Sequence, residues 1–291
     1  MNARRSGLAF AAGSGVLYGS INVLAKLVPA HPFVKGAVAY LASFLLLAVF
    51  LRGLHIEKRD WPKVLVMGII GGGVAPALLF VGLQETSAAD TGLLLTFEMV
   101  ATGALAVMFL GERFGGRDGA GLVCLLAASL AVAFATTGDA SVTTTRGAIL
   151  VLGAALAWGI DNVVSARLVG LYKPHQLIAL KGILGGSLSL TAAVALEVPV
   201  PSVRDIVALV AIGVISICLS SLLFYTALQR VGASRTSAMN VATTALIGAI
   251  GGSLLLAEQL GPIHVVEVGL VLAGAVLLGR RPKEHAASVP V

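Results

Sequence analysis

Apolar positions occupy the chain in ten long runs, separated by short stretches where charges, glycines and prolines gather. The runs fall at roughly 7–28, 33–51, 63–83, 91–110, 117–136, 147–168, 175–196, 205–228, 235–257 and 262–279. A helix that crosses a bilayer needs about 20 mostly apolar residues, and each run has roughly that length. Both alternate positions within a run are apolar, whereas a barrel strand would alternate apolar and polar residues over about ten positions. A helix satisfies its own backbone hydrogen bonds in lipid, so the pattern predicts an all-α membrane protein of ten transmembrane helices. The intervening stretches carry breakers and charges: Pro29 and Pro32, Glu57 to Trp61, Gly115 and Gly116, Gly138 and Asp139, Pro199 and Pro201. None is long enough to form a soluble domain.

Composition supports the same reading. Hydrophobic residues make up 57% of the 291 positions and charged residues 12%, and the mean hydropathy is +0.97. A soluble domain carries about 25% charged residues, so lipid must solvate most of this surface. Arg4 and Arg5 precede the first run, as in a signal peptide. That run is longer than the roughly 7–15 apolar residues of such a segment, and it is read as a retained first helix. The net charge of +6 forms no aromatic-interleaved patch, so no nucleic-acid partner is expected. The basic residues instead report topology. With both termini in the cytoplasm, fifteen Lys and Arg lie on the inner side, four (Lys26, Lys35, Arg146 and Arg204) lie outside, and Lys181 falls within a run. Cys124 and Cys218 lie inside apolar runs without metal-ligand spacing and read as small buried hydrophobes.

The chain also repeats itself. Shifted by 140 residues, Gly7 meets Gly147, Tyr18 meets Trp158, Gly19 meets Gly159 and Asn22 meets Asn162. At about 145, Leu83 and Gln84 meet Leu228 and Gln229, Thr91 meets Thr236, and Gly103 meets Gly248; at 146, Lys35 and Gly36 meet Lys181 and Gly182, and Glu112 meets Glu258. Each half then holds five helices. Because five is odd, the halves cross the membrane in opposite senses, an inverted repeat whose sites lie near the midplane between the halves. The expected divisions are 1–138 and 139–280 for the repeats and 281–291 for a cytoplasmic tail.

Two segments carry a family resemblance: LQETSAADTGLLLTFEMVATGALAVMFLGERF, from Leu83 to Phe114, and LQRVGASRTSAMNVATTALIGAIGGSLLLAEQL, from Leu228 to Leu260. Each has a small-residue turn, a long apolar helix and a Gly-Glu or Ala-Glu ending, at Gly111–Glu112 and Ala257–Glu258. Over nearly its whole length the chain resembles the EamA-type branch of the drug/metabolite transporter superfamily. That resemblance implies two five-helix repeats, a basic residue early in the second helix of each (here Lys35 and Lys181), and a location in the bacterial inner membrane. Bacterial exporters of aromatic and other amino acids are the nearest subgroup. The family commonly has a proline midway along the fourth helix of each repeat. Here Met99 follows Glu98 and Thr244 follows Thr243, so the residues do not support that kink.

Ionisable groups inside a span are costly and are functional candidates by default. Trp158, Asp161, Asn162 and Ser165 share one face of the sixth helix, and Ser14, Tyr18 and Asn22 share one face of the first. The repeat superposes Tyr18 on Trp158 and Asn22 on Asn162. The two faces can line a central substrate cavity, or the two Asn can tie helices together as polar groups do in lipid. Lys181 can meet a substrate carboxylate, pair with Asp161, or snorkel to the interface. Glu98 can bind a substrate amine or a coupling proton, or serve as a hydrogen-bonded structural group. Tyr40, Phe80, Tyr225 and Asn240 are further lining candidates. Gly71, Gly72, Gly73 and Pro76 either allow close helix approach or let the third helix bend during gating.

Enzyme motifs are lacking. No Walker loop occurs, so ATP is not the expected energy source, and no GxSxG or HExxH is present. The five histidines are scattered without metal spacing. No cofactor, metal or catalytic residue is expected. The resulting expectation is secondary transport of small amphiphilic metabolites by alternating access, most of all export of amino acids with aromatic or other apolar side chains. Efflux of cationic drugs is the alternative, with an intramembrane lipid-handling enzyme further off. Proton coupling is possible with Asp161 and Glu98, and facilitated diffusion fits the same residues.

Overall fold

A computed structural model describes residues 3–135 and 143–279. The expected division at 138/139 and the tail 281–291 lie outside the described residues. Every regular element among the described residues is helical. The ten helices are α1 (Ala3–Leu27), α2 (Pro32–Leu51), α3 (Trp61–Gly82), α4 (Ala88–Leu110), α5 (Gly116–Ala135), α6 (Thr145–Leu168), α7 (Pro174–Ala195), α8 (Val203–Val231), α9 (Ala233–Leu256) and α10 (Pro262–Gly279). Among the described residues nine are long and apolar enough to cross a membrane; the apolar part of α10, Pro262–Leu278, is shorter.

Local chemistry sets the helix ends. Pro32, Pro62, Pro174 and Pro262 occupy first turns, where the missing N–H is no loss. Ser87, Thr144 and Ser202 cap α4, α6 and α8 by accepting from Asp90, Gly147 and Asp205 N–H at 2.9, 3.0 and 3.2 Å. Left-handed Gly111 and Ala257 end α4 and α9.

α2 ends in a tighter 3-10 turn at Ala48–Leu51, and three further helices are irregular. α3 widens into a π-helical segment at Met67–Val74, and α8 does the same at Gly213–Leu219. α4 breaks between Ala88–Leu94 and Phe97–Leu110, while α9 runs unbroken. The break needs no proline: Thr96 turns its N–H and its hydroxyl onto the Leu93 carbonyl, at 3.0 and 2.6 Å.

Small residues let the helices approach closely, as lipid-embedded bundles require. A Cβ on Gly185 of α7 would lie 2.1 Å from the Gly72 backbone of α3, and one on Gly15 of α1 would lie 2.2 Å from the Asn240 carbonyl of α9. Large apolar side chains such as Leu45, Met108 and Leu254 point outward, 72%, 72% and 77% exposed. Such a surface is stable in lipid and would aggregate in water.

A candidate binding pocket inside the bundle

Many of the polar residues inside the bundle line one pocket between α1, α2, α4, α6, α7, α8 and α9. Of the eleven lining residues expected from sequence, nine are there: Tyr18, Tyr40, Glu98, Trp158, Asp161, Asn162, Lys181, Tyr225 and Asn240. Phe80 instead lines a separate cavity with Lys26 and Lys35; it lies beyond the end of the π-helical segment of α3, which stops at Val74. Asn22 is fully buried outside the pocket wall, and neither its Nδ2 nor its Oδ1 has a partner among the described residues.

The ionised core of the pocket is a pair. Lys181 of α7 donates through Nζ to Asp161 of α6. The other Asp161 oxygen accepts from the Ser165 hydroxyl at 3.0 Å, and Ser165 lies 3.0 Å from the Tyr225 hydroxyl. Ser165 has a single hydrogen, already committed to Asp161, so Tyr225 must donate to Ser165. Asp161 is 1% exposed and Lys181 8%. In so dry a setting the pair persists because both ions are bonded to each other and to neighbours.

Glu98 stands apart from that pair. It takes a hydrogen bond of 2.7 Å from Asn162 Nδ2, which also faces Thr102 Oγ1 at 3.1 Å and Ser237 Oγ at 3.2 Å. No Lys, Arg or His among the described residues forms an ion pair with Glu98. Asn162 therefore joins α4, α6 and α9, a tying role as well as a lining one.

The aromatic wall depends on the irregular backbone of α3. In the π-helical register the Ala75 N–H bonds to the Ile70 carbonyl. The next donor in that register, for the Gly71 carbonyl, would be residue 76, which is proline. The orphaned Gly71 carbonyl accepts the Trp158 indole N–H at 3.0 Å and faces the Tyr40 hydroxyl at 3.5 Å. Tyr18 meets the Trp158 ring edge-on, with centroids 5.4 Å apart. Gly71 must be glycine, since a Cβ there would lie 2.3 Å from the Asp161 carboxyl carbon. Gly71 and Pro76 thus shape the site directly.

Sequence reasoning missed the wall supplied by α8: Ile217, Ser220, Ser221 and Phe224. Ser220 and Ser14 exchange hydrogen bonds with each other's backbone carbonyls at 2.9 and 3.0 Å, and Asn240 Nδ2 donates to Ser14 Oγ at 3.0 Å. Ser20 and Ser216 pair at 2.8 Å higher on the same seam. The spacing Ser216, Ser220, Phe224 puts these residues on one helical face, and that was the available signal. Among the described residues, no group of three or more His, Cys, Asp or Glu could hold a metal ion.

These features define a polytopic helical membrane protein with a polar, aromatic-walled pocket inside its bundle. The chain belongs to the EamA-like transporter family, whose model matches residues 5–134 and again residues 145–280. It is 26% identical over 232 residues to an uncharacterized transporter of Methanothermobacter thermautotrophicus, a match that covers 77% of this chain and 66% of that protein, just under two thirds of its length. An uncharacterized transporter of Archaeoglobus fulgidus is 25% identical over 249 residues, with 83% of this chain and 86% of that one covered. A solved crystal structure superposes with a TM-score of 0.70 at 17% identity, over 94% of this chain and 97% of the other, a likeness of fold alone.

Proposed function

We propose that this chain is a secondary transporter that exports small amphiphilic metabolites across the inner membrane, foremost amino acids with aromatic or other apolar side chains. One observation carries the reading: five aromatic rings (Tyr18, Tyr40, Trp158, Phe224 and Tyr225), a buried ion pair and a carboxylate without a basic partner among the described residues face the same internal pocket. Tyr18, Tyr40, Trp158 and Tyr225 offer flat apolar surface, Glu98 suits an ammonium group, and Lys181 suits a carboxylate that competes with Asp161.

The halves work in this reading as inverted repeats that rock about the pocket, with both termini in the cytoplasm. The doubled family match supports it, as do the two π-helical segments, which coincide when the chain is shifted by about 145 residues. The pocket has a volume of only about 50 Å³. Ligand pockets typically enclose about 300–1,000 Å³, so loading requires the helices to part. The π-helical segments of α3 and α8 are the places where the helices can bend.

Flux of labelled amino acids into proteoliposomes tests the proposal, and no saturable flux across a broad panel would defeat it. Proton coupling through Asp161 is tested by Asp161→Asn; transport unchanged between about pH 5 and pH 8 removes that residue from coupling. The lone Glu98 carboxylate also favours a second reading, efflux of cationic drugs. Competition by quaternary ammonium compounds, with none by amino acids, selects it.

A further inference from the structure

A second cavity, of about 310 Å³, lies at the end of the bundle where α1 finishes and α2 begins. Lys26, Lys35, Phe80, Leu83 and Gln84 line it. Lys35 is only 8% exposed. Its Nζ donates to the Ala25 carbonyl at 2.6 Å, near the C-terminus of α1. An ammonium has three hydrogens to donate, and the other two find no acceptor among the described residues. No carboxylate there pairs with Lys35 either. Lys26 pairs with Glu258 Oε1 at 3.7 Å, a carboxylate it shares with the N–H groups of Ala88 and Ala89 at 2.8 and 3.0 Å.

Comparison of the two halves sharpens the point. At a shift of 146 residues Lys35 stands where Lys181 stands. Lys181 is neutralised by Asp161; the residue 140 positions before Asp161 is Ile21. The first half keeps the buried lysine and lacks the acid. A buried cation without a counter-ion is costly unless something completes it.

We propose that this cavity is an anion site that takes a small carboxylate between Lys35 and Lys26. The Gln84 amide supplies a further donor, and Phe80 and Leu83 provide an apolar floor for a short hydrocarbon body. Paired ammonium donors and an apolar floor together select an organic carboxylate over an inorganic anion. The site stands apart from the central pocket, so it is testable whether or not that pocket carries a transported substrate.

The test uses the full-length protein in nanodiscs of zwitterionic lipid, with labelled 3-phenylpropanoate as the probe. Saturable binding is expected, with no competition from the neutral isostere 3-phenylpropanamide. Lys35→Met should weaken it by about tenfold or more, and Lys35→Arg should largely preserve it. In the wild type, 3-phenylpropanoate should also slow reductive methylation of Lys35 and Lys26, a readout that needs no variant to fold. Glu98→Gln should retain this binding even where it loses flux, which separates the anion site from the central-pocket reading. Absence of saturable binding, equal competition by chloride, or binding that survives Lys35→Met and is lost in Lys181→Met would overturn the proposal.

Discussion

Glu112 and Glu258 each close the start of the helix that the other one ends. Glu112 follows Gly111 at the end of α4 and accepts from the Ala233 N–H at 3.2 Å and from the Ser234 hydroxyl, at the start of α9. Glu258 follows Ala257 at the end of α9 and accepts from the Ala88 and Ala89 N–H groups at the start of α4. The first N–H groups of a helix lack intrahelical partners, and its positive end favours a carboxylate. The carboxylate links between the ends of α4 and α9 are therefore reciprocal.

Removal of either carboxylate should cost stability. Glu112→Ala and Glu258→Ala are each expected to destabilise by about 1.5–3 kcal/mol, the range for hydrogen bonds to charged groups. Glutamine at either position should recover part of the loss, because its carbonyl oxygen still accepts. Thermal unfolding of the purified protein in detergent reads both effects; alanine variants as stable as the parent would show that the caps contribute nothing.

The Gly71 carbonyl gives a second prediction, through a pair of substitutions. Trp158→Phe leaves that carbonyl with only the long 3.5 Å contact from the Tyr40 hydroxyl and should cost about 1 kcal/mol or more, as for the loss of a buried hydrogen bond. Pro76→Ala restores an N–H at the position that the π-helical register directs toward Gly71. The double variant should therefore be more stable than Trp158→Phe alone. Simple addition of two losses would mean that Pro76 does not create the vacancy.

The same details mark what could be read in the sequence. All ten helices were visible, because continuous apolar runs bounded by breakers have few other solutions in lipid. Of the nine lining residues, Tyr18, Trp158, Asp161 and Asn162 are legible because helical spacing and the internal repeat put them on two matching faces, Glu98 and Lys181 because they are ionisable groups inside apolar runs, and Tyr40, Tyr225 and Asn240 only as isolated polar or aromatic positions within runs. The π-helical segments were not, since no residue pattern distinguishes a π-helical register from an α-helical one within Gly-rich apolar sequence. The break at Leu95 and Thr96 was hidden as well, because a threonine side chain makes it where a proline would have announced it. Matching residues also did not guarantee matching partners. Asn162 finds Glu98, Thr102 and Ser237, whereas Asn22 finds none, and Gly248 stands 146 positions beyond Thr102.

The Asp161–Lys181 pair should behave differently when halved and when removed. Asp161→Asn or Lys181→Met strands one buried charge and is expected to destabilise by about 3–5 kcal/mol. Asp161→Asn with Lys181→Met strands none and should be more stable than either single variant. A double-mutant cycle on thermal stability measures this; additive losses would show that the two side chains do not neutralise one another.

Glu267 on α10 makes the opposite case, a buried acid whose removal should help. It is 1% exposed, and neither carboxylate oxygen has a hydrogen-bond partner among the described residues. The nearby His264 does not neutralise it. His264 Nδ1 accepts from the Gly261 N–H at 3.0 Å and so carries no hydrogen, which leaves Nε2 to donate to Asp90 Oδ1 at 3.0 Å as a neutral imidazole. Asp90 is further bonded by Thr143 and by the Ser87 cap that faces its N–H. Glu267→Met is therefore expected to raise stability, by about 1–3 kcal/mol, because it removes the unsatisfied buried oxygens without adding polar atoms. Asp90→Asn, which weakens bonds actually made, should lower it. Thermal unfolding of the two variants side by side decides the matter. A Glu267→Met protein less stable than the parent would mean that Glu267 has a stabilising partner in the working protein.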